Sequence, residues 1–364
     1  MNSIIRQDLD RIFHGLTEEE RKKFDNSTIL LTGCAGFLGF YFMNFFTHYA
    51  SELNIKKIIG LDNFIVGYPN WLKRMEESGN IELHKFDIIT DDIAQVPGAE
   101  TATYIYHMAS IASPTFYRKF PIETLDANIW GLRKLLDFYK DRPIGNLAFF
   151  SSSEIYGDPT PENIPTPESY WGNVSPLGPR ACYDESKRFG ETICYLYNGQ
   201  YNMPISIIRP FNNYGPGMRL NDRRVPADFA KAIVENKDIV MFSDGTPTRT
   251  FCYITDAITG YLKALVYKPF DFFNIGIDKP EISVRQLAEI YQQAGAEIFG
   301  YKGQVLFQAS NEKDYLTNNP NRRCPDIRKA RELLGYQPQV MVEEGVRFFL
   351  QYIKESDSKE LEWV

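Results

Sequence analysis

Short runs of consecutive apolar residues recur through the first half of the chain, and stretches with helical spacing separate them. Thr28–Leu31 is a β-type run that ends at Gly33. From Phe37 to about Tyr49 nearly every position is apolar, as in a buried helix. Lys57–Leu61, Ile81–Phe86, Thr103–His107 and Leu147–Phe150 read as the next four strands, with a helical pattern over Ile122–Tyr139 before the last of them. Helix resumes near Tyr183 and strand at Ile205–Arg209. Uniformly apolar strands alternating with helices predict a doubly wound parallel sheet covered on both faces, an α/β fold. Residues 1–25 read as one or two short helices, the second opened by a capping box of Thr17 and Glu20; Ser283 and Gln286 form another before a helix through Gln293. Pro and Gly cluster over 157–180, which predicts a long loop, and loops of that length are usually functional. The second half loses the strict alternation, so a smaller α/β domain is expected there, interleaved with late strands of the sheet.

Composition narrows the class. The 364 residues are 43% hydrophobic and 24% charged, an ordinary globular balance for about two domains. A net charge of −7 makes a poor polyanion binder, which sets nucleic acid aside. Nothing approaches the ~20 apolar residues of a membrane span, and the N-terminus alternates charged and apolar residues, unlike a signal peptide. Cys34, Cys182, Cys194, Cys252 and Cys324 are odd in number and scattered, as expected of reduced thiols in a cytoplasmic protein. With four histidines, no metal site is expected.

Gly33, Gly36 and Gly39 stand between the first strand and its helix in the order Gly-x-x-Gly-x-x-Gly. Such glycines permit a tight turn and close approach of backbone to a pyrophosphate, which the helix N-terminus then faces with free N–H groups. Asp62 ends the second strand, where a carboxylate takes ribose hydroxyls and repels a 2′-phosphate, favouring NAD over NADP. Asp87, after the third strand, is placed to hold the adenine amino group. The reading is a Rossmann-type sheet, with 1–26 as a helical extension, 27–204 as the NAD-binding domain (strands near 239–276 returning to it) and 205–364 as mainly the substrate domain.

Tyr183 and Lys187 share a helix face, and an adjacent ammonium favours a phenolate, so the pair predicts a Tyr base. Ser151-Ser152-Ser153-Glu154 follows the fifth strand, and strand carboxyl ends line the ligand crevice of such a sheet, so these groups should face the pair.

The sequence resembles the extended short-chain dehydrogenase/reductases that act on nucleotide sugars, most of all the branch that decarboxylates UDP-glucuronate. The segments that carry the likeness are ESYWGNVSPLGPRACYDESKRFGET, HMASIASP, SSSEIYGDP, YGPGMRLNDRRV, DGTPTRTFCYITD and RRCPDI, within roughly 27–350. The resemblance implies Tyr183 as base at the sugar 4-hydroxyl, Lys187 holding the nicotinamide ribose, Ser152 bonding O4, and Ser153 with Glu154 as the decarboxylase pair. It implies Arg323 near the sugar carboxylate and Arg249 and Asn212 at the diphosphate, with Arg224, Val225 and Tyr117 also on the substrate side. Each of Arg323 and Arg249 has a structural salt bridge as its alternative. Phe37, Leu38, Asn63, Ile88, Ala109 and His107 join the cofactor side, although His107 also suits a satisfied core histidine.

The implied reaction is C4 oxidation, loss of CO2 from the 4-keto acid and re-reduction to UDP-xylose. A 4-epimerase, a decarboxylase that releases the keto pentose, or a non-catalytic NAD-binding regulator would share much of the pattern. A 4,6-dehydratase would carry Asp where Ser153 stands. Gly217 (Arg in the pattern), Ile111 (Pro) and RRVPADF depart from the branch on what the sequence places as the substrate side. The resemblance also implies a homodimer through the helix around Ile122–Tyr139 and the one after Tyr183. Residues 1–25 match nothing in it and are expected to be a solvated capping helix.

Overall fold

The computed structural model describes residues 1–79, 81–308, 317, 319–357 and 361. Helix α1 (Ser3–Gly15) precedes strand β1 (Thr28–Thr32), helix α2 (Phe37–His48) and strands β2 (Lys57–Asp62), β3 (Glu82–Lys85), β4 (Tyr104–His107) and β5 (Asn146–Phe150). Helix α3 (Ala181–Tyr201) and strands β6 (Ile205–Pro210) and β7 (Asp271–Ile275) follow. The sheet order is β7-β6-β5-β4-β1-β2-β3, parallel throughout. Every residue of the central strands β1 and β5 is buried, which explains their largely apolar character, whereas edge strand β3 is partly exposed and shorter than its sequence pattern. The chain reverses direction across the sheet between β1 and β4, and the register pairs Thr32 with both Leu61 and His107. The ends of three strands therefore open into one crevice, the usual ligand position of this topology.

Helix α2 is apolar all round because it is buried from Gly39 to Phe46. The helical stretch expected over 122–139 is interrupted by a π-helical turn, Ala127–Gly131, between Pro121–Asp126 and Leu132–Tyr139. Within that turn Asn128 Nδ2 donates to Ser186 Oγ of α3 at 2.9 Å, a contact that period counting does not reveal. Both capping boxes form, at Thr17/Glu20 and Ser283/Gln286.

The solvated helix expected at the N-terminus is instead a packed one. Ile4, Ile5, Leu9 and Ile12 are buried in the main core, each worth about 1.5–3 kcal/mol of gross burial. Asp8 is buried among them, where the Tyr41 hydroxyl of α2 and the Tyr253 hydroxyl donate to its Oδ2 at 2.6 and 2.7 Å. Lys263 Nζ, on the helix Ile254–Val266, reaches Glu20 Oε2 at 2.8 Å. The extension thus bolts α2 to the second half of the chain. Among the described residues no helix is long and apolar enough to cross a membrane, and no three His, Cys, Asp or Glu side chains group to hold a metal ion.

Burial pushes Asp8 up to about 7, against the two tyrosine hydrogen bonds that lower it. A folded value above the unfolded one means that proton binding stabilises the fold at acid pH and that this contribution is lost as pH rises through about 7. Wild type is therefore expected to lose roughly 2–4 kcal/mol relative to Asp8→Asn between pH 4 and 8, read by chemical denaturation of both proteins. A constant gap across that range would place the ionised carboxylate in the fold at no cost.

Candidate active site

At the end of β1 the three glycines differ in what they answer to. Gly33 has φ +73°, and a Cβ there would lie 2.7 Å from Ala109 N. A Cβ on Gly39 would lie 2.2 Å from Cys34 O. Both positions are demanded by the fold itself. A Cβ on Gly36 would meet only Gly33 O, at 3.3 Å, and Gly36 opens α2 with no side-chain cap, so its bare Cα and the helix end border open space. That space is a cleft of about 520 Å³. Asp62 does more than border it: Ala35 N–H and Phe64 N–H donate to its two oxygens at 2.9 and 2.8 Å, tying the glycine loop to β2. Burial raises its pKa while those bonds oppose the rise. Asp87 accepts from Ile89 N–H at 2.9 Å and Asn63 Nδ2 at 3.1 Å. Phe37, Leu38, Asn63, Asp87, Ile88 and Ala109 all line the same cleft. His107 does not; it is buried behind the wall with Nδ1 2.9 Å from Thr32 Oγ1, and Nε2 has no partner among the described residues. Burial lowers its pKa to about 3, so it stays neutral.

Tyr183 and Lys187 enter the cleft from the first turns of α3, facing Ser152 and Ser153 after β5. The Tyr183 ring stacks on Tyr117, with centroids 5.3 Å apart and planes at 12°. Burial pushes the Tyr183 phenol up to about 12, with Ser152 and Arg224 pulling down and Glu154 and Asp184 pushing further up. Lys187 is not the group that relieves it. Its Nζ donates to Phe150 O at 2.7 Å and stands 5.7 Å from the Tyr183 ring centre, and burial lowers its own pKa to about 7. Burial is the largest influence on both groups: it raises Tyr183 and weakens the Lys187 ammonium beside it.

Glu154 collects charge from three parts of the chain. Arg323 grips it with Nη1 and Nη2, each 3.0 Å from a carboxylate oxygen, while also donating to Ser153 Oγ at 2.9 Å and Gly157 O at 3.1 Å. Arg180 Nη2 donates to the same Glu154 Oε2, and Arg180 Nε sits 3.4 Å from Asp184 Oδ2. Burial alone would raise Glu154; Arg180, Arg323 and Arg249 outweigh it and hold the carboxyl below its usual range. Asp184 goes the other way, up to about 7, from burial and the nearby Glu154 charge. Arg323 is delivered by a small ladder in which Thr248–Arg249 pairs with Ile282–Ser283 on one side and Arg322–Arg323 on the other, Arg249 opposite Arg323. It is nearly inaccessible and does not line the cleft, so it acts on Glu154 and Ser153 directly.

Arg249 does line the cleft, and among the described residues its guanidinium donates only to carbonyl oxygens, those of Thr248, Asn321 and Pro320. Burial, with Arg323 beside it, lowers its pKa to about 10, the mark of a cation lacking a counter-ion. Arg224 is held bidentate by Asp222, at 2.9 and 2.6 Å, next to Val225 in the cleft wall. Asn212 borders the cleft with Nδ2 on Thr250 O at 3.0 Å. Gly217 corrects the sequence reading: its φ is +83°, a Cβ would lie 2.5 Å from Phe40, and it packs on α2 rather than facing the cleft. Ile111 does line the cleft. Arg180, Asp184 and Asp222 are the members that sequence reasoning passed over; the first two lie inside the GPRACYDE segment, whose unusual charge density was the available signal. Ser110 Oγ and Tyr117 Oη, both in the cleft wall, are buried with no partner among the described residues, so the cavity presents polar groups that a ligand would satisfy.

A model of the NAD dependent epimerase/dehydratase family matches residues 29–276. UDP-glucuronic acid decarboxylase 1 of Xenopus tropicalis is 36% identical over 349 residues, 95% of this chain and 75% of that protein. UDP-glucuronic acid decarboxylase 5 of Arabidopsis thaliana is 35% identical over 324 residues, 88% of this chain and 87% of that protein. Among solved structures, UDP-glucuronic acid 4-epimerase from Bacillus cereus in complex with UDP-glucuronic acid and NAD aligns with a TM-score of 0.71 at 27% identity, covering 90% of this chain and 99% of that one. UDP-glucose 4-epimerase of Thermotoga maritima with UDP-glucose aligns at 0.75 and 25% identity, covering 90% and 98%.

The glycines separate stability from binding. Gly39→Ala is expected to cost more than about 2 kcal/mol, since backbone must move away from the new Cβ. Gly36→Val should leave the melting temperature within a few degrees and weaken NAD binding by at least about tenfold, or about 1.4 kcal/mol. Equal melting temperatures for the two variants would remove the distinction.

Proposed function

The chain belongs to the NAD dependent epimerase/dehydratase family, and from that premise we propose that it is an NAD-dependent UDP-glucuronate decarboxylase yielding UDP-xylose and CO2. The observation that carries this reading is the Ser153–Glu154–Arg323 constellation beside Tyr183. A dehydratase must hand a proton to a leaving hydroxide. Glu154, pinned between two guanidinium groups, is ionised, and a serine stands beside it, so the site is poor at acid catalysis and suited to a substrate that expels CO2.

In this proposal the open N-terminus of α2 and Gly36 hold the dinucleotide pyrophosphate, Asp62 its adenosine ribose and Lys187 the nicotinamide ribose. NAD bound there supplies the hydride acceptor for C4 and returns the hydride at the end. Tyr183 takes the proton of the sugar 4-hydroxyl while Ser152 hydrogen-bonds O4. The resulting ketone is β to the C6 carboxylate, so the C5–C6 bonding pair flows into an enolate as CO2 departs, and Tyr183 and Ser152 stabilise the oxyanion at O4. C5 takes a proton, and C4 is reduced again. Arg249, short of a counter-ion, and Asn212 suit the diphosphate of the substrate.

A second reading, UDP-glucuronate 4-epimerisation, is favoured by the likeness to the Bacillus cereus enzyme; it shares the first step and retains the carboxylate. We further propose a homodimer through α3 and the helical stretch over 121–139. Ile122, Trp130, Phe189, Tyr195 and Leu196 are exposed on these neighbouring helices, an apolar surface that suits a twofold helix pairing. Five free cysteines, four of them buried, support a reducing compartment such as the cytoplasm.

Incubation with NAD+ and UDP-glucuronate, followed by mass spectrometry and NMR, is expected to give a nucleotide sugar lighter by CO2 with C4 reduced. Tyr183→Phe should lower kcat by at least about a thousandfold at unchanged melting temperature. An unchanged mass with inverted C4 would establish the epimerase, and a 4-ketone product would mean early release. The double variant Phe189→Glu/Leu196→Glu should sediment as a monomer where the parent sediments as a dimer; a monomeric parent ends the dimer proposal.

A further inference from the structure

Four charged side chains meet in one nearly dry cluster: Arg180, Glu154, Asp184 and Arg323 are 11, 24, 8 and 2% exposed at the side chain. Two guanidinium groups and two carboxyl groups balance only when both carboxyls are ionised; the third guanidinium nearby, Arg249, is the one assigned above to the substrate diphosphate, which neutralises it. Arg180 bridges the pair, with Nη2 on Glu154 and Nε on Asp184, and also lines the cleft. Asp184 Oδ1 is buried with no partner among the described residues. The charged and titratable groups facing Asp184 are Arg180, Cys182 and Tyr183 on its own helix, Glu154 from the turn after β5, Arg323 from the small ladder and Tyr117 from the helix Pro114–Lys119. Ser153, Glu154 and Arg180 form the wall that a ligand touches, while Asp184 lies one layer behind.

A sugar that carries a carboxylate to this wall adds one negative charge to a cluster that is already balanced and poorly solvated. The excess is relieved most cheaply at the carboxyl with an unsatisfied oxygen and no direct ligand contact. We propose that Asp184 is a specificity-determining positioning residue that orients Arg180 toward Glu154 and takes up one proton when a hexuronate binds, keeping the cluster neutral. This rests on the UDP-glucuronate reading above. The proton balance of the reaction agrees with it. Decarboxylation converts R–COO⁻ and one H⁺ into R–H and CO2: the C5–C6 bond breaks, its pair passes to the O4 enolate, and the pair returns to form C5–H. One proton is consumed per turnover: Asp184 takes it from solvent at the binding step and gives it back to solvent when the departure of CO2 removes the extra charge, as C5 takes one from solvent, so the net uptake stays at one.

The test is calorimetric titration of the NAD-loaded Tyr183→Phe protein at pH 8, in phosphate and in Tris, whose ionisation heats differ widely. With Asp184 near 7 and mostly ionised at that pH, UDP-glucuronate should bind with uptake of about one proton, and UDP-glucose, which lacks the carboxylate, with about none. Asp184→Asn should bring the UDP-glucuronate value to about zero. The comparison of the two sugars on the unaltered Asp184 stands even if that variant does not fold. Binding of UDP-glucuronate with the same heat in both buffers overturns the inference alone, and uptake that persists in Asp184→Asn overturns the assignment to that residue. Binding of UDP-glucose with no UDP-glucuronate heat overturns the hexuronate reading and this inference with it.

Discussion

Glu154 is the point at which the two halves of the molecule are held in register. Its carboxylate receives Arg180 from the start of α3 and Arg323 from a strand more than a hundred residues further on, and the same Arg323 fixes Ser153. Buried charges of this kind rarely add net stability, because desolvation offsets the attraction. Removing one partner is a different matter, costing about 3–5 kcal/mol, since the other is left uncompensated. The cluster therefore dictates arrangement more than stability: the serine turn, the first turn of α3 and the small ladder have one mutual placement that pairs Glu154 with both guanidinium groups.

The sheet was legible because its strands obey local rules. Buried parallel strands must be apolar along most of their length, and those over 28–32, 57–62 and 104–107 are found within a residue of where their composition puts them. The glycine loop, Asp62 and the Tyr183/Lys187 face follow from spacing alone, and the structure gathers all of them at one cleft. What spacing could not convey is how each group spends its bonding capacity. Asp62 uses both oxygens to brace the loop that precedes it. Lys187 donates a hydrogen bond to Phe150 O, and burial lowers the pKa of its ammonium. Gly217, which looked like a change at the substrate, answers to a left-handed backbone and the Phe40 ring. The grip of Arg323 on Glu154 joins residues too distant in sequence for any local pattern.

The N-terminal helix belongs to the same economy of placement. Periodicity identified the helix but not its neighbours, because an amphipathic face says only that something covers it. Here the cover is α2, whose own N-terminus borders the cleft, together with the second half of the chain through Tyr253 and Lys263. The extension thus braces the far side of the helix that carries the glycine loop.

The small ladder places Arg249 and Arg323 on facing rungs, one turned to the cleft and the other to Glu154. Two residues so paired cannot be displaced independently: backbone hydrogen bonds make them one rigid lever. A diphosphate held by Arg249, as proposed above, would pull at the same time on the clamp that sets Ser153 and Glu154. On the proposed reading, the nucleotide end of the ligand, which takes no part in bond making, would thereby acquire a mechanical hold on the sugar end, and binding strength far from C4 would be converted into alignment where bonds change.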